Sequence, residues 1–376
     1  MQLILPKTSV VVFPSKLETL TVVFVDQYDP TQELAFRRVF TKNLVQAGNG
    51  IVFVSEGDLS RMLVDSHNVA ADLKKIFDGQ PVTSIILSRY TGYYWQYLLD
   101  LGAALEVPVA VFLDDNLLEV PVDIGQAAVD IYAHPNRRQA LLQTIAHADV
   151  MIASTLALEK QLRAYPHRKI THTHIYCSAT AAEVQDASSY GSKVRVGYMA
   201  SRWHRHDLDY ILPVIDDMLA KNDDVVFEVF GFDWDVYLKD KYPNRIVCHP
   251  PVPGNYYAFR NRLNRLNWDI GIAPLRPIKY NRCKANTKWI EYTSSGISVV
   301  ASRLDPYETL PEDCLVLADH NQWYPALDEL VRDPARRRAL RARAQAYVLE
   351  RYSIEAHAAQ FVGILSDVGG YVRSVN

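Results

Sequence analysis

Short runs of β-branched and other apolar residues recur along this chain, separated by stretches whose apolar positions fall every three or four residues. Leu20–Val25 (LTVVFV) reads as a strand, and Glu33–Gln46 then takes up helical periodicity. Ile51–Val54, Ser84–Ser88, Val109–Leu113, Val150–Ala153 and Ile170–Tyr176 read as further strands. Nearly continuous apolar strands imply a sheet buried on both faces, hence a parallel one. Alternation of strand and helix implies right-handed βαβ units. From Cys177 the chain becomes small, polar and aperiodic (CSATAAEVQDASSYGS), which predicts an interdomain linker over 177–193. The alternation then restarts. Val194–Met199, Val225–Phe230, Ile246–Cys248, Ile270–Pro274, Ser298–Ala301 and Leu315–Ala318 read as strands, and Leu208–Ala220, Tyr256–Leu266 and Thr287–Ser294 as helices. Arg336–Glu350 reads as a helix with a solvated arginine-rich face. The pattern predicts an α/β chain of two doubly wound domains, 1–176 and 194–353, followed by 354–376. Such folds bind ligands outside the carboxyl ends of their strands, so chemistry is expected in a cleft between two sheets.

Composition narrows the class. A length of 376 residues suits two domains, and 49% hydrophobic with 22% charged residues suits a soluble globular protein. The net charge of −3 lacks the basic excess of a nucleic-acid binder. Cys177, Cys248, Cys283 and Cys314 are scattered and form no CxxC pair, which argues against a zinc or disulfide framework and fits a reducing compartment. Pro6, Lys7, Pro14 and Lys16 interrupt the apolar N-terminus, a poor signal peptide. No apolar run approaches the ~18–20 residues that span a bilayer. A cytoplasmic location is expected, with room for peripheral contact on the inner face of the cell membrane. His172 and His174 face one side of a strand. No acidic or cysteine partner is apparent for them in the sequence, and no metal site is expected.

The most informative segment is Asp269–Ser302, DIGIAPLRPIKYNRCKANTKWIEYTSSGISVVAS. A buried strand runs into a basic polar loop with Arg276, Lys279, Asn281, Arg282, Lys284 and Asn286. A helix starts near Asn286 or Thr287, and Gly296 ends it. A helix N-terminus offers unpaired N–H groups and partial positive charge, so it binds phosphate, and Lys or Arg beside it adds charge-assisted bonds. Glu291, one turn further in, can accept bonds from ribose hydroxyls. These residues alone suggest a nucleoside diphosphate, against the alternative of a solvated basic loop with a helix cap.

This segment resembles the donor-binding segment of GT-B-fold glycosyltransferases, especially family 4 (group 1). Glu291, Gly296, Val299, Val300, Ala301 and Ser302 match the second half of that family's E-x7-E motif, with Ser298 in place of the usual Pro and Cys283 where the first Glu falls. Asn281, Arg282, Lys284, Lys288, Trp289, Glu291 and Tyr292 resemble the N-R-x-K-x-x-x-K-W-x-E-Y version found in a subgroup. Val196–Leu208 (VGYMASRWHRHDL) resembles the strand and loop opening the donor domain, with Gly197, Tyr198, Ser201, His204, Asp207 and Leu208 in register and Ala200 in place of a Gly. This loop would bring Arg202, His204 or Arg205 near the phosphates, while Asp207 can equally cap the next helix. Asp305–Glu308, Trp323, Asp333–Pro334, Arg337 and Arg351–Ser353 also resemble the family's C-terminal region, in which a final helix packs back on the first domain.

The resemblance implies a GT-B architecture of two facing Rossmann-like domains. It implies transfer of a sugar from a nucleotide-sugar, UDP- or GDP- ahead of others, without cofactor or metal and with retention. Arg282, Lys284, Asn286, Thr287, Lys288, Glu291, Ser201, Arg202 and His204 are the donor-side candidates. Val107–Pro121 (VPVAVFLDDNLLEVP) resembles the subgroup's D-D-x-L-F-x-L-P stretch, so Asp114 or Asp115 is the catalytic candidate, as base or acceptor-orienting group. Asp26, Gln27, Arg89 and Tyr93 follow first-domain strands and are the acceptor-side candidates: rings stack on sugars and Arg grips phosphate, though interface packing would use the same residues. The expected acceptor is a glycan or lipid-linked glycan, in polysaccharide or cell-surface glycan assembly. The alternatives are a nucleotide-sugar epimerase of this architecture and a non-catalytic scaffold.

Overall fold

The computed structural model describes residues 9–175, 193–252, 256–367 and 369. The first sheet is built from β1 (Val10–Val12), β2 (Thr19–Val25), β3 (Asn49–Ser55), β4 (Val82–Ser88), β5 (Val109–Leu113), β6 (Val150–Ala153) and β7 (Ile170–His172), in the order β1-β3-β2-β4-β5-β6-β7. The second holds β8 (Val194–Met199), β9 (Val225–Phe230), β10 (Ile246–His249), β11 (Ile270–Ala273), β12 (Ser298–Ser302) and β13 (Val316–Ala318), in the order β10-β9-β8-β11-β12-β13. Every pairing is parallel except β1 with β3. The apolar runs are therefore central strands: every residue of β2 and of β12 is buried. The three-residue edge strand β1 is not anticipated, because a run that short carries no period to read. The linker expected over 177–193 lies, but for Lys193, outside the described residues.

Two glycines in central strands of the second sheet admit bulky neighbours. A Cβ on Gly197 would lie 1.9 Å from the Trp268 ring, and one on Gly271 would lie 2.7 Å from Tyr292. Trp268 and Tyr292 are both buried and have little room to retreat. Gly197→Ala is expected to lower the unfolding free energy by about 1–3 kcal/mol through overpacking, read as a lower midpoint in urea.

Two helical segments bring the domains together. One starts at Pro30, where Asp29 accepts from the Thr31 N–H at 2.7 Å and the Gln32 side chain accepts from the Asp29 N–H at 2.9 Å. It widens into i→i+5 turns over Glu33–Arg37 and Phe40–Leu44, a geometry that recurs at functional sites. The other, Ile354–Asp367, packs Ile354, Ala358, Phe361 and Leu365 into the first-domain core of Val23, Phe36, Phe40 and Phe112. Phe361 meets the Phe36 ring at 5.5 Å, and the His357 ring bonds the Ala35 carbonyl at 3.1 Å. Burial pulls His357 down to about 3, so it stays neutral. The preceding helix, Pro334–Tyr352, buries Leu340, Ala344, Val348 and Tyr352 and turns Arg336, Arg338, Arg343 and Arg351 to solvent, while Arg337 donates to the Val331 carbonyl at 3.0 Å. Among the described residues no helix is long and apolar enough to cross a membrane.

Candidate active site

A cavity of about 490 Å³ lies between the carboxyl ends of the two sheets. Its first-domain wall comes from the loop after β2 and the turn after β5, and includes Tyr28, Asp29, Thr31, Glu33, Asp114 and Asp115. Its second-domain wall includes Met199, His204, Leu275, Lys284, Thr287, Lys288 and Glu291.

The helix Thr287–Ser294 points its N-terminus into this space, and its N-cap residue Asn286 makes no side-chain capping bond. Thr287, Lys288 and Glu291 fall on the cavity face by helical spacing, while Trp289, Ile290 and Tyr292 fall in the core. The core face fixes the helix. The Tyr292 hydroxyl accepts from the Met199 N–H at 2.7 Å and donates to the Ile272 carbonyl at 3.2 Å, tying the helix to β8 and β11. The Trp289 indole donates to the Cys314 carbonyl at 3.2 Å. Glu291 is 3% exposed and held on both oxygens: the Tyr256 hydroxyl donates to one at 2.6 Å and Arg260 Nη1 to the other at 2.5 Å. Each oxygen keeps a lone pair for a further donor. A helix N-terminus, two lysines and a fixed carboxylate suit a diphosphate with a ribose attached.

The facing wall carries carboxylates in unlike surroundings. Asp114 accepts from the Thr31 hydroxyl at 2.8 Å and lies 3.3 Å from Arg89 Nε. Burial raises its pKa, an effect that Arg89 only partly offsets. Asp115 is also pushed up by burial, but Lys284 at 3.1 Å, with Arg89 beyond it, brings its pKa below the ordinary carboxylate value. Arg89 itself has φ 53°, a strained backbone for a non-glycine residue. It bonds Asp29 at 3.3 Å and the Tyr132 hydroxyl at 3.4 Å, so its guanidinium is committed to the first domain.

Seven candidates from the sequence thus meet in one cavity: Asp114, Asp115, His204, Lys284, Thr287, Lys288 and Glu291. The others stand elsewhere. Arg282 pairs with Asp305 at 2.7 Å, and the buried Asn286 amide donates to the Tyr352 hydroxyl at 2.9 Å. Ser201 and Arg202 are exposed beside the loop after β8. Asp26 accepts from the Thr91 N–H and pairs with Arg137 at 2.9 Å, and with Gln27 it lines a separate cavity that shares only Tyr28 with the first. Tyr93 is 77% exposed and packs edge-on against Tyr94. Asp207 is no helix cap: it lies within the helix Arg205–Asp209 and accepts from the Arg276 N–H and the Asn281 amide, which pins the basic loop to the end of β8. Burial pushes its carboxyl up, but the His204 ring and the Arg276 N–H bring its pKa down to about 2. Cys283 is buried in the first-domain core away from the cavity, and its carbonyl accepts from the Thr155 hydroxyl at 2.9 Å. His172 does have an acidic partner, Glu159, at 2.5 Å. That contact spans a helix and a strand and has no sequence signature. Among the described residues no group of three or more His, Cys, Asp or Glu could hold a metal ion. Tyr256 and Arg260 are missed by the sequence analysis, because one face of a regular helix gives no sign of which carboxylate it will meet.

Burial lowers two titrating groups here. His204 falls to about 4, helped down by Lys288, and is neutral at physiological pH. Lys288 falls to about 8. A bound diphosphate favours its charged form, so nucleotide affinity is expected to weaken as pH rises through about 8, read as a shrinking nucleotide-induced melting shift between pH 7 and 9. Because the folded pKa is depressed, the unfolded chain binds more protons above about 8, and this group alone makes unliganded stability rise with pH there. The two trends run in opposite directions and separate binding from folding.

Residues 213–363 match the family described as glycosyl transferase-like. No curated protein matches the chain by sequence. Among solved structures, Anabaena HepE in complex with UDP and glucose superposes with a TM-score of 0.63 at 13% identity, over 92% of this chain and 99% of that one. A UDP-forming trehalose-phosphate synthase from Burkholderia xenovorans gives 0.62 at 14% identity, over 93% and 99%. TarM of S. aureus, in complex with Fondaparinux, alpha-GlcNAc-glycerol and UDP, gives 0.58 at 13% identity over 79% of this chain, which spans only 59% of TarM. The chain has the GT-B fold of these structures, and its segment 213–363 is similar to the glycosyl transferase-like family.

Proposed function

We propose that this chain transfers a sugar, with retention, from a nucleotide diphosphate sugar to a hydroxyl acceptor in polysaccharide or cell-surface glycan assembly. The observation that carries the reading is that one cavity holds a helix N-terminus, Lys284, Lys288 and Glu291 on one wall and Asp114 and Asp115 on the other. In the reaction the bond from the anomeric carbon to the β-phosphate oxygen breaks and its electron pair leaves with the diphosphate. The helix N-terminus, Lys284 and Lys288 stabilise that charge as it develops. The acceptor oxygen bonds the anomeric carbon on the face the diphosphate leaves, which keeps the configuration, and passes its proton to Asp114, whose raised pKa makes it a better base than an ordinary carboxylate. Glu291 holds the ribose. UDP is favoured because HepE, TarM and the trehalose-phosphate synthase are each described with UDP or as UDP-forming, and retention is the subject of a study on trehalose-6-phosphate synthase, a further match of the same fold.

The test is thermal stabilisation by UDP, GDP, dTDP, ADP and CMP. One nucleotide is expected to raise the melting temperature and the others much less. A flat response to all five would remove the donor site and leave a scaffold that keeps the fold.

A further inference from the structure

The cavity's two walls differ in charge. All the lysine and histidine that line it, Lys284, Lys288 and His204, come from the second domain, where the diphosphate is proposed to sit. Among the described residues no lysine, arginine or histidine of the first domain lines it, whereas four carboxylates do: Asp29, Glu33, Asp114 and Asp115. The first-domain guanidiniums nearest them are committed. Arg89 bonds Asp114, Asp29 and the Tyr132 hydroxyl. Arg37 bonds both oxygens of Glu33 at 2.9 Å, and Glu33 also accepts from the Tyr28 hydroxyl at 2.8 Å. Neither arginine faces the cavity. A carboxylate with a free lone pair accepts from a sugar hydroxyl and repels a phosphate or carboxylate.

We infer that the acceptor bound by this wall is an uncharged, hydroxyl-rich molecule, and that phosphorylated or carboxylated acceptors are rejected. The inference rests on the proposed transfer reading and goes beyond it by naming the acceptor's charge class. An anionic acceptor group would bring like charge against Asp29, Glu33 and Asp114 in a partly desolvated space, with no first-domain cation among the described residues that line it. The hydroxyls of a neutral polyol would instead donate to these carboxylates and pair with the Thr31 hydroxyl.

The experiment uses the full chain saturated with the stabilising nucleotide, UDP first. Matched pairs are then added at equal ionic strength: glucose and glucose 6-phosphate, N-acetylglucosamine and its 6-phosphate, glycerol and glycerol 3-phosphate. The neutral member is expected to stabilise the complex with an apparent affinity at least about tenfold above its phosphorylated partner, like-charge repulsion at a few ångströms being worth that much after screening. The Asp29→Asn, Glu33→Gln double variant keeps the helix cap, since Asn caps as well as Asp, and should shrink the ratio toward one while the nucleotide response persists. A phosphorylated member that binds as tightly as its neutral partner, or a nucleotide complex that answers no neutral member, overturns the inference alone. Absence of any nucleotide response overturns the transfer reading and this inference with it.

Discussion

Replacing Glu291 with alanine is expected to abolish the nucleotide-induced melting shift and to lower the stability of the unliganded protein as well. The first effect follows from the ribose contact proposed for Glu291. Hydrogen bonds to a charged group contribute about 1.5–3 kcal/mol each, so losing two weakens nucleotide binding by roughly 10²–10⁴-fold. The second follows from Arg260, whose side chain is 7% exposed and whose Nη1 bonds the Glu291 carboxylate and carbonyl and the Ser295 hydroxyl. Removing one partner of a buried ion pair costs about 3–5 kcal/mol, because the remaining charge loses its compensation. Replacing the pair together, Arg260→Met with Glu291→Leu, should recover much of the stability, since apolar residues of similar volume often substitute for a buried pair. It should not recover the nucleotide response. A double variant that still binds nucleotide as wild type does would show that Glu291 holds no part of the ligand.

Asp114→Asn is expected to lower kcat by about 10²–10⁴-fold, the usual contribution of a positioned base, while the nucleotide shift is retained because Asp114 lies on the opposite wall. Asp115→Asn should act differently. It frees Lys284 from a 3.1 Å contact between the domains and should chiefly alter donor affinity. The two carboxylates also have opposite signatures against pH. Asp114 has a raised folded pKa, so between the unfolded and folded values the native state binds more protons, and its contribution to stability falls as pH rises through that window. Asp115 has a lowered folded pKa, so it contributes stability above its unfolded value, lost as pH falls through the folded one. The acid limb of kcat against pH should therefore lie above the ordinary aspartate value of about 3.9 and vanish in Asp114→Asn. A loss of less than tenfold in that variant would assign the proton to another acceptor, such as an oxygen of the leaving phosphate.

Neutral behaviour of His204 fits the same logic. A pKa near 4, set by burial and by Lys288, leaves it an uncharged hydrogen-bonding group at the cavity through the physiological range. The activity profile should carry no histidine limb between pH 5 and 8.

Apart from the short edge strand β1, the strands and most helices were legible in the sequence because burial on both faces writes itself as unbroken apolar runs. Tyr256–Leu266 and Thr287–Ser294 fall where their periodicity puts them, and Gly296, at φ 72°, ends the latter as expected. The basic loop, the helix N-terminus and Glu291 were also legible, since they lie within one short segment whose spacing fixes which side chains share a face. What the sequence could not decide is how groups from distant segments divide the work. Lys284 and Arg282 look alike in the loop, yet one reaches Asp115 across the cleft and the other turns away to Asp305. Asp114 and Asp115 are adjacent, yet alternate orientation after a buried strand gives one Arg89 and Thr31 and the other Lys284. Arg89 reads as a free cation and is in fact committed within its own domain, while Arg260 and Tyr256 meet Glu291 only after two helices pack. Local periodicity is set by the backbone and survives in one dimension. Charge pairing depends on distances of 3–4 Å between residues far apart in the chain, and only the tertiary fold sets those distances.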